Sequence, residues 1–371
     1  MKAKKLSGFE QNRRDENLFQ LTRTLLAILI SVGITFIIIA FISDEPLQAI
    51  ETFITGPFST LRRFGNVIEA SIPIMFTGLA ACIMFQAKQF SLIADGAFYI
   101  GGFVAALIAI YFPTQGLLTT VIAILAATGI GALCGVLPGY LKAKWNANEF
   151  VVSMMFNYII IAIGQYLFLN KFRDPNSGNV ASALIPEADV LAVLIPRTKV
   201  HAGIIIAILV TIASYYFIYH TSAGFAIRMT GINKKFTDQM GFSTFKILML
   251  VQIIGAALGG FGGAVEIFGM YERFQWQDTL GYGFDGMTVA ILAANNPALV
   301  PLGALFLAYV RVGTEVMART TSVPNETVYI VQGIVMLLVT ATGFLAHWRH
   351  KVLLKHAEHT LTGDIAKGDS K

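Results

Sequence analysis

An all-α polytopic bundle of about ten membrane helices, one of them short, is encoded here, and composition, run length and charge placement each say so. Of the 371 residues, 55% are hydrophobic and only 13% are charged. The mean hydropathy of +0.66 is too high for a soluble globular domain of this length. The apolar runs have helical length rather than the short alternation of a membrane barrel. A net charge of +5 invites a nucleic-acid reading, but the basic residues sit between apolar runs, where membrane topology accounts for them. No nucleic-acid partner is expected. Cys82 and Cys134 lie within apolar spans and form no CxxC, so they read as packing residues.

The chain divides into a basic arm at 1–24, a membrane domain at 25–346 and a charged tail at 347–371. The run 25–42 resembles a signal peptide, but it is longer than a typical apolar core of one. It ends in Ser43-Asp44-Glu45-Pro46 without a small-residue cleavage site, so an uncleaved first helix with a cytoplasmic amino end is expected. Residues 43–66 are polar around a Gly56-Pro57 turn and belong outside, where Arg62 and Arg63 run against the charge rule and suit the lipid interface. Runs at 67–85, 93–112 and 117–141 follow, joined by short hinges that make antiparallel neighbours.

Lys142 and Lys144 fit a cytoplasmic return before the run 150–169. An irregular external loop at 170–200 carries Pro175, Pro186 and Pro196. Runs at 201–219 and 247–268 flank the polar segment 220–246, and 269–283 faces outside. The segment 284–294 is marginal for crossing at ~1.5 Å per residue, so it reads as a half-helix or one buried among longer neighbours. Runs at 299–317 and 328–346 complete the set. If the short segment crosses, both termini are cytoplasmic. The arm, Lys142, Lys144, segment 220–246 and the tail then hold more than twice the Lys and Arg of the external loops.

Segment 220–246 is the longest polar stretch in the second half before the tail. Gly224, Gly231 and Gly241 favour turns there, and Arg228, Lys234, Lys235 and Lys246 favour the cytoplasm. Asn233 can cap a short helix that carries Phe236 and Met240 on one face at i, i+4 spacing. That face buries little by itself and calls for a partner protein; an ordinary basic loop is the alternative.

Catalytic signatures are missing. The sequence has no GxxxxGK[ST], HExxH or GxSxG, so it is expected to be neither an enzyme nor an ATP-binding chain, and no cofactor is expected. His347, His350, His356 and His359 lack ligand spacing and read as part of a solvated tail rather than a metal site.

Six stretches carry a resemblance: SIPIMFTGLAACIMF at 71–85, NEFVVSMMFNY at 148–158, IRMTGINKKFTDQMG at 227–241, GAALGGFGGAVEIFG at 255–269, GYGFDGMTVAILAANNP at 281–297, and 323–337. In this order they resemble the permeases of bacterial ABC importers for branched-chain amino acids, simple sugars and nucleosides. The likeness is nearest to the longer of the two nucleoside-type permeases. It covers most of the chain beyond Val67, and GYGFDG…NNP is its most specific part.

The resemblance implies a type II ABC importer-like fold in a bacterial plasma membrane. It implies a separate cytoplasmic ATPase, a second homologous permease forming a heterodimer, and an extracellular substrate-binding lipoprotein. Segment 220–246 then becomes the ATPase-coupling loop, carried by Arg228, Gly231, Asn233, Phe236, Met240 and Gly241. Where the family pattern reads approximately FNIGAEGQ, this chain has FSLIADGA at 90–97, so nucleoside, sugar and branched-chain amino acid remain alternative substrates.

Transport by alternating access needs closely packed helices, a polar lining and a lever. Gly255, Gly259, Gly260, Gly262 and Gly263 supply small residues for close packing, whether shifting or static. An ionisable side chain at a helix centre costs about 2.5–3.5 kcal/mol on insertion scales, so such residues face partners or cavities. Asp95, Glu266 and Asp285 are the pathway candidates, with Asn157 and Tyr158 able to hydrogen-bond and stack with a base. Arg311 and Glu315, four apart, are expected to neutralise each other. Two other readings stand beside transport. One is an intramembrane enzyme with Asp95 and Asp285 as paired carboxylates, and the other is a non-transporting scaffold for an ATPase.

Overall fold

A computed structural model describes residues 45–321 continuously, together with Gly33, Phe36, Ile37, Ile330, Gly333, Ile334 and Leu337. The chain separates into two units, Met1–Ile50 with Thr321–Lys371, and Glu51–Thr320. The second carries the features below. The expected arm, most of the runs 25–42 and 328–346, and the tail lie outside the described residues.

Eleven α-helices occur among the described residues, in the order α1 (Pro46–Thr55), α2 (Leu61–Gln86), α3 (Ile93–Tyr111), α4 (Leu117–Trp145), α5 (Glu149–Leu167), α6 (Gly203–His220), α7 (Ser222–Ile232), α8 (Lys234–Gln239), α9 (Thr244–Met270), α10 (Tyr282–Leu292) and α11 (Val300–Thr320). Among the described residues, seven helical stretches are long and apolar enough to cross a membrane: α2 to α6, α9, and α11 with its leading turn. At 11 residues, α10 is the short one.

Local chemistry sets the ends. Thr60 accepts the Arg63 N–H at 3.2 Å to start α2, so Arg62 and Arg63 lie in a helical first turn rather than in a loop. Asn148 accepts from Phe150 at 3.0 Å to start α5, and Thr221 accepts from Gly224 at 3.1 Å to start α7. These side-chain oxygens satisfy N–H groups that a first helical turn leaves unpaired. The loop expected at 43–66 therefore holds α1 and the start of α2, separated by a short 3₁₀ turn at Gly56–Phe58. The long loop at 170–200 is irregular as expected, apart from a π-helical extension of α5 at its start, a 3₁₀ turn at Glu187–Asp189 and one bridge between Val193 and His201.

Helix α9 is the axis of the unit and packs against α2, α3 and α4. Its glycines explain how. A Cβ on Gly259 would sit 2.5 Å from the Ala94 carbonyl of α3, and Gly255 and Gly262 face Met84 and Phe76 of α2. Gly260 meets the Ala127 carbonyl of α4, and Gly263 meets the Phe98 carbonyl of α3. Backbones touch where side chains would otherwise intervene, the packing mode that small residues permit in membranes. Helix α2 is nearly all buried, whereas α4, α5 and α6 leave most of their apolar surface open. α10 lies on α2, α3 and α11.

Candidate functional site

Two sets of residues stand out in the second unit, one around the amino end of α10 and one in 220–246. At the first, Gly281 has φ +74, which turns the chain into the short helix. No side chain of that turn caps it. The cap comes from α3: Asp95 Oδ1 accepts the Gly283 N–H at 3.0 Å, and Oδ2 accepts the Thr279 hydroxyl. A carboxylate against the positive end of a helix dipole is favourable, and more so where water is scarce. Gly283 is glycine because a Cβ would fall 2.6 Å from that of Asp95, and Gly286 because it abuts the Thr77 backbone.

Asp285 follows in the same turn. Arg311 of α11, 26 positions on, donates to its Oδ2 at 3.4 Å. The Arg311 Nε also lies 3.9 Å from Glu315, the contact expected from spacing, and its guanidinium lies over the Tyr282 ring at 5.5 Å. Glu266 on α9 is 2% exposed, and its Oε2 has no hydrogen-bond partner. A second buried acid, Glu69 of α2, is near enough for the two charges to act on each other. Sequence reasoning missed Glu69, although an ionisable residue inside the run 67–85 was a visible signal.

Asn157 is buried and committed to the backbone. Its Oδ1 accepts the Gly96 N–H at 3.1 Å and its Nδ2 donates to the Leu92 carbonyl at 2.7 Å, which pins the start of α3 to α5. Gly96 leaves room for that amide, since a Cβ there would meet Oδ1 at 2.5 Å. Tyr158, expected to act beside it, is 60% exposed on the open face of α5 with Met155 and Ile159. The structure thus brings Asp95 and Asp285 to one helix end and leaves Tyr158 apart. It gives Asp95 and Asp285 different partners rather than one shared proton site.

In the second set, Asn233 Oδ1 accepts the Phe236 N–H at 3.2 Å and starts α8, the expected cap. Phe236 and Met240 are 45% and 46% exposed, and Ile232 before them is 72% exposed. Gly241 makes the expected turn, with φ +85. Gly224 and Gly231 do not. Both lie inside α7, where Gly224 abuts the Phe217 and Ile218 carbonyls and Gly231 abuts the Gln86 carbonyl that ends α2. Their missing Cβ serves close approach, not a positive φ.

Arg228 stacks its guanidinium 5.0 Å from the centre of the Tyr219 ring. The Asp238 carboxyl, which accepts the Thr244 N–H at 2.9 Å, is held below the ordinary carboxylate range by the Thr244 hydroxyl and N–H. The Asp174 carboxyl is likewise lowered, chiefly by the Asn176 N–H and then by Arg273, which it meets at 3.0 Å. Among the described residues, no group of His, Cys, Asp and Glu has the arrangement to hold a metal ion.

Residues 63–340 match the family described as branched-chain amino acid transport system, permease component. A glucose ABC transporter permease protein of Haloferax volcanii is 25% identical over 357 residues, spanning 94% of each chain. A guanosine ABC transporter permease protein of Bacillus subtilis is 27% identical over 321 residues, covering 86% of this chain and 92% of that one. A nucleoside ABC transporter permease protein of Lactococcus lactis is 25% identical over 332 residues, covering 86% and 91%.

Proposed function

The chain belongs to the branched-chain amino acid transport system permease family, and from that premise we propose that it imports nucleosides by alternating access. It is an ABC importer permease, a multi-pass protein of the cell membrane. In the proposed cycle, separate ATPase subunits press on α8 through Asn233, Phe236 and Met240, with Arg228, Gly231 and Gly241 shaping the lever. The bundle then tilts between outward-open and inward-open states. A second homologous permease completes the pathway. A substrate-binding lipoprotein delivers ligand to the external loops at 170–200 and 269–283, and both termini face the cytoplasm.

The observation that carries this reading is the short helix α10. Its amino end gathers Asp285, Arg311 and the ring of Tyr282 within an apolar bundle, beside a Thr279 hydroxyl and the Asp95 cap. Carboxylate, guanidinium and aromatic ring are the groups that hydrogen-bond ribose hydroxyls and stack with a base. Glu266 adds an oxygen with nothing to accept. Asp95 and Asn157 act by holding the backbone around this end. The likeness to guanosine and nucleoside permeases over 86% of the chain supports the nucleoside class.

A simple sugar is the second reading, favoured by the glucose permease matched over 94% of both chains. The two share hydroxyl chemistry and differ in the base. Uptake of labelled guanosine, uridine, glucose and leucine into cells with and without this chain separates them. Loss of guanosine and uridine uptake alone is expected. Loss confined to glucose or leucine overturns the nucleoside assignment, and unchanged uptake of all four overturns transport.

A further inference from the structure

Two contacts from the segment 220–246 converge on one residue that sequence reasoning did not single out. Gly231 of α7 abuts the backbone carbonyl of Gln86, the last residue of α2. Arg228 of α7 lies over the ring of Tyr219, whose hydroxyl lies beside the Gln86 side chain. The Gln86 amide then reaches forward, its Nε2 donating to the Asn295 carbonyl at 2.6 Å.

Asn295 is the end of the short helix in mechanical terms. Its own N–H donates back to the Ala290 carbonyl of α10 at 2.8 Å, and both it and Ala294 hold the left-handed backbone conformation, with φ +59 and +50. That turn is costly for a residue other than glycine, so it persists only where neighbours hold it. Gln86 is one of them. At the opposite end, α10 is held by Asp95.

Resting on the transport reading above, we propose that Gln86 is a positioning residue that transmits movement of the segment 220–246 to α10, and so to Asp285 and Arg311. Gly231 and Arg228 bear on it from one side. The amide holds the helix on the other. Two features stiffen the place where it sits: the next turn donates from Gln89 Nε2 to the Leu248 carbonyl at 3.2 Å, and Gln252 Nε2 donates to Gln89 Oε1 at 2.6 Å. The end of α2 is thereby tied to the central helix α9. A load from α7 then reaches α10 through Gln86 rather than dissipating in a loose hinge.

The test uses the whole transporter reconstituted in vesicles with its ATPase, second permease and binding protein. Labelled guanosine and glucose serve as probes, and ATP hydrolysed per molecule imported is the readout. Gln86→Met keeps side-chain length and the backbone carbonyl but cannot donate to Asn295. It is expected to co-purify with the ATPase and hydrolyse ATP at the normal rate, while import per ATP falls about fivefold to tenfold, the worth of one net hydrogen bond.

Tyr219→Phe keeps the ring under Arg228 and loses only the hydroxyl. It is expected to move the same ratio in the same direction by a smaller factor. An unchanged ratio in both variants overturns the proposal, as does a parallel fall of hydrolysis and import, which marks a merely structural residue. Wild-type vesicles that import neither probe would instead sink the transport reading, and the transmission role with it.

Discussion

Asp95, in the first turn of one membrane helix, is the amino-terminal cap of another: its carboxylate accepts the Gly283 N–H at 3.0 Å. Losing such a cap typically costs about 0.5–2 kcal/mol. Asp95→Ala is therefore expected to lower the melting temperature of the purified complex and to reduce import. Asp95→Asn, which keeps an oxygen in place, should retain most of both. Equal damage from the two substitutions would show that charge rather than capping is the essential property.

The Asp285–Arg311 pair gives a second prediction. Removing one partner of a buried pair leaves an uncompensated charge, and with the Arg311 side chain 32% exposed the cost is discounted to about 1–2 kcal/mol. Arg311→Met should cut import about tenfold or more. Adding Asp285→Asn should recover part of the stability while leaving import low, since in the proposed pathway the pair also meets substrate. Thermal melts and uptake on the wild type, Arg311→Met, Asp285→Asn and the double variant give the coupling between the two sites.

Gly231 and Gly241 should respond differently to the same added methyl. Gly231→Ala drives a Cβ into the Gln86 carbonyl, and coupled import should fall strongly. Gly241→Ala meets no neighbour and has only the φ of +85 to contend with, a penalty of about 1–2 kcal/mol. Comparable uptake losses in the two would remove the distinction between close approach and turn.

Phe236 and Met240 present an apolar pair that the described residues leave nearly half exposed. Phe236→Ala is expected to leave the melting temperature within error and to weaken ATPase association by about 2 kcal/mol, the scale of an interface hot spot. Pull-down of the ATPase at graded concentration measures it. A drop in stability without loss of association would place the pair in the fold rather than at a contact.

Asp238 supplies the pH dependence. Its folded carboxyl titrates below the ordinary range, so it contributes stability above its unfolded value, and that contribution is lost as pH falls through the lower folded one. The hook from Asp238 to Thr244 should stay closed from neutral pH down to about pH 4 and loosen below it. Amide exchange at Thr244 should rise only in that acid window, and Asp238→Ala should raise it at every pH.

Much of the scaffold could be read from the chain. The runs expected at 67–85, 93–112 and 117–141 correspond to α2, α3 and α4, because twenty apolar residues in a row leave the backbone little choice but to bond within a helix. The Asn233 cap was legible for a local reason: the oxygen and the N–H it satisfies are three residues apart. Gly224 and Gly231 were misread since a glycine that makes a turn and one that admits a neighbour's carbonyl are spelled alike. Asp285 found Arg311 26 positions away, and Gln86 reached Asn295 209 positions away. Partners at such separations leave no periodicity behind. The acids could be nominated from their cost in an apolar run, but not matched to what satisfies them.

The sequence distance from Asp95 to Gly283 is 188 residues. At a synthesis rate of ~5–20 residues per second, the carboxylate is made roughly 10–40 s before the helix it caps. Throughout that interval the first helices wait in or beside the membrane with a polar group unmatched. The short helix, once made, has its cap already waiting. Biogenesis therefore closes from the late end: a ribosome stalled before Thr279 leaves a nascent chain with every long helix through α9 already made and the acid without either of its partners.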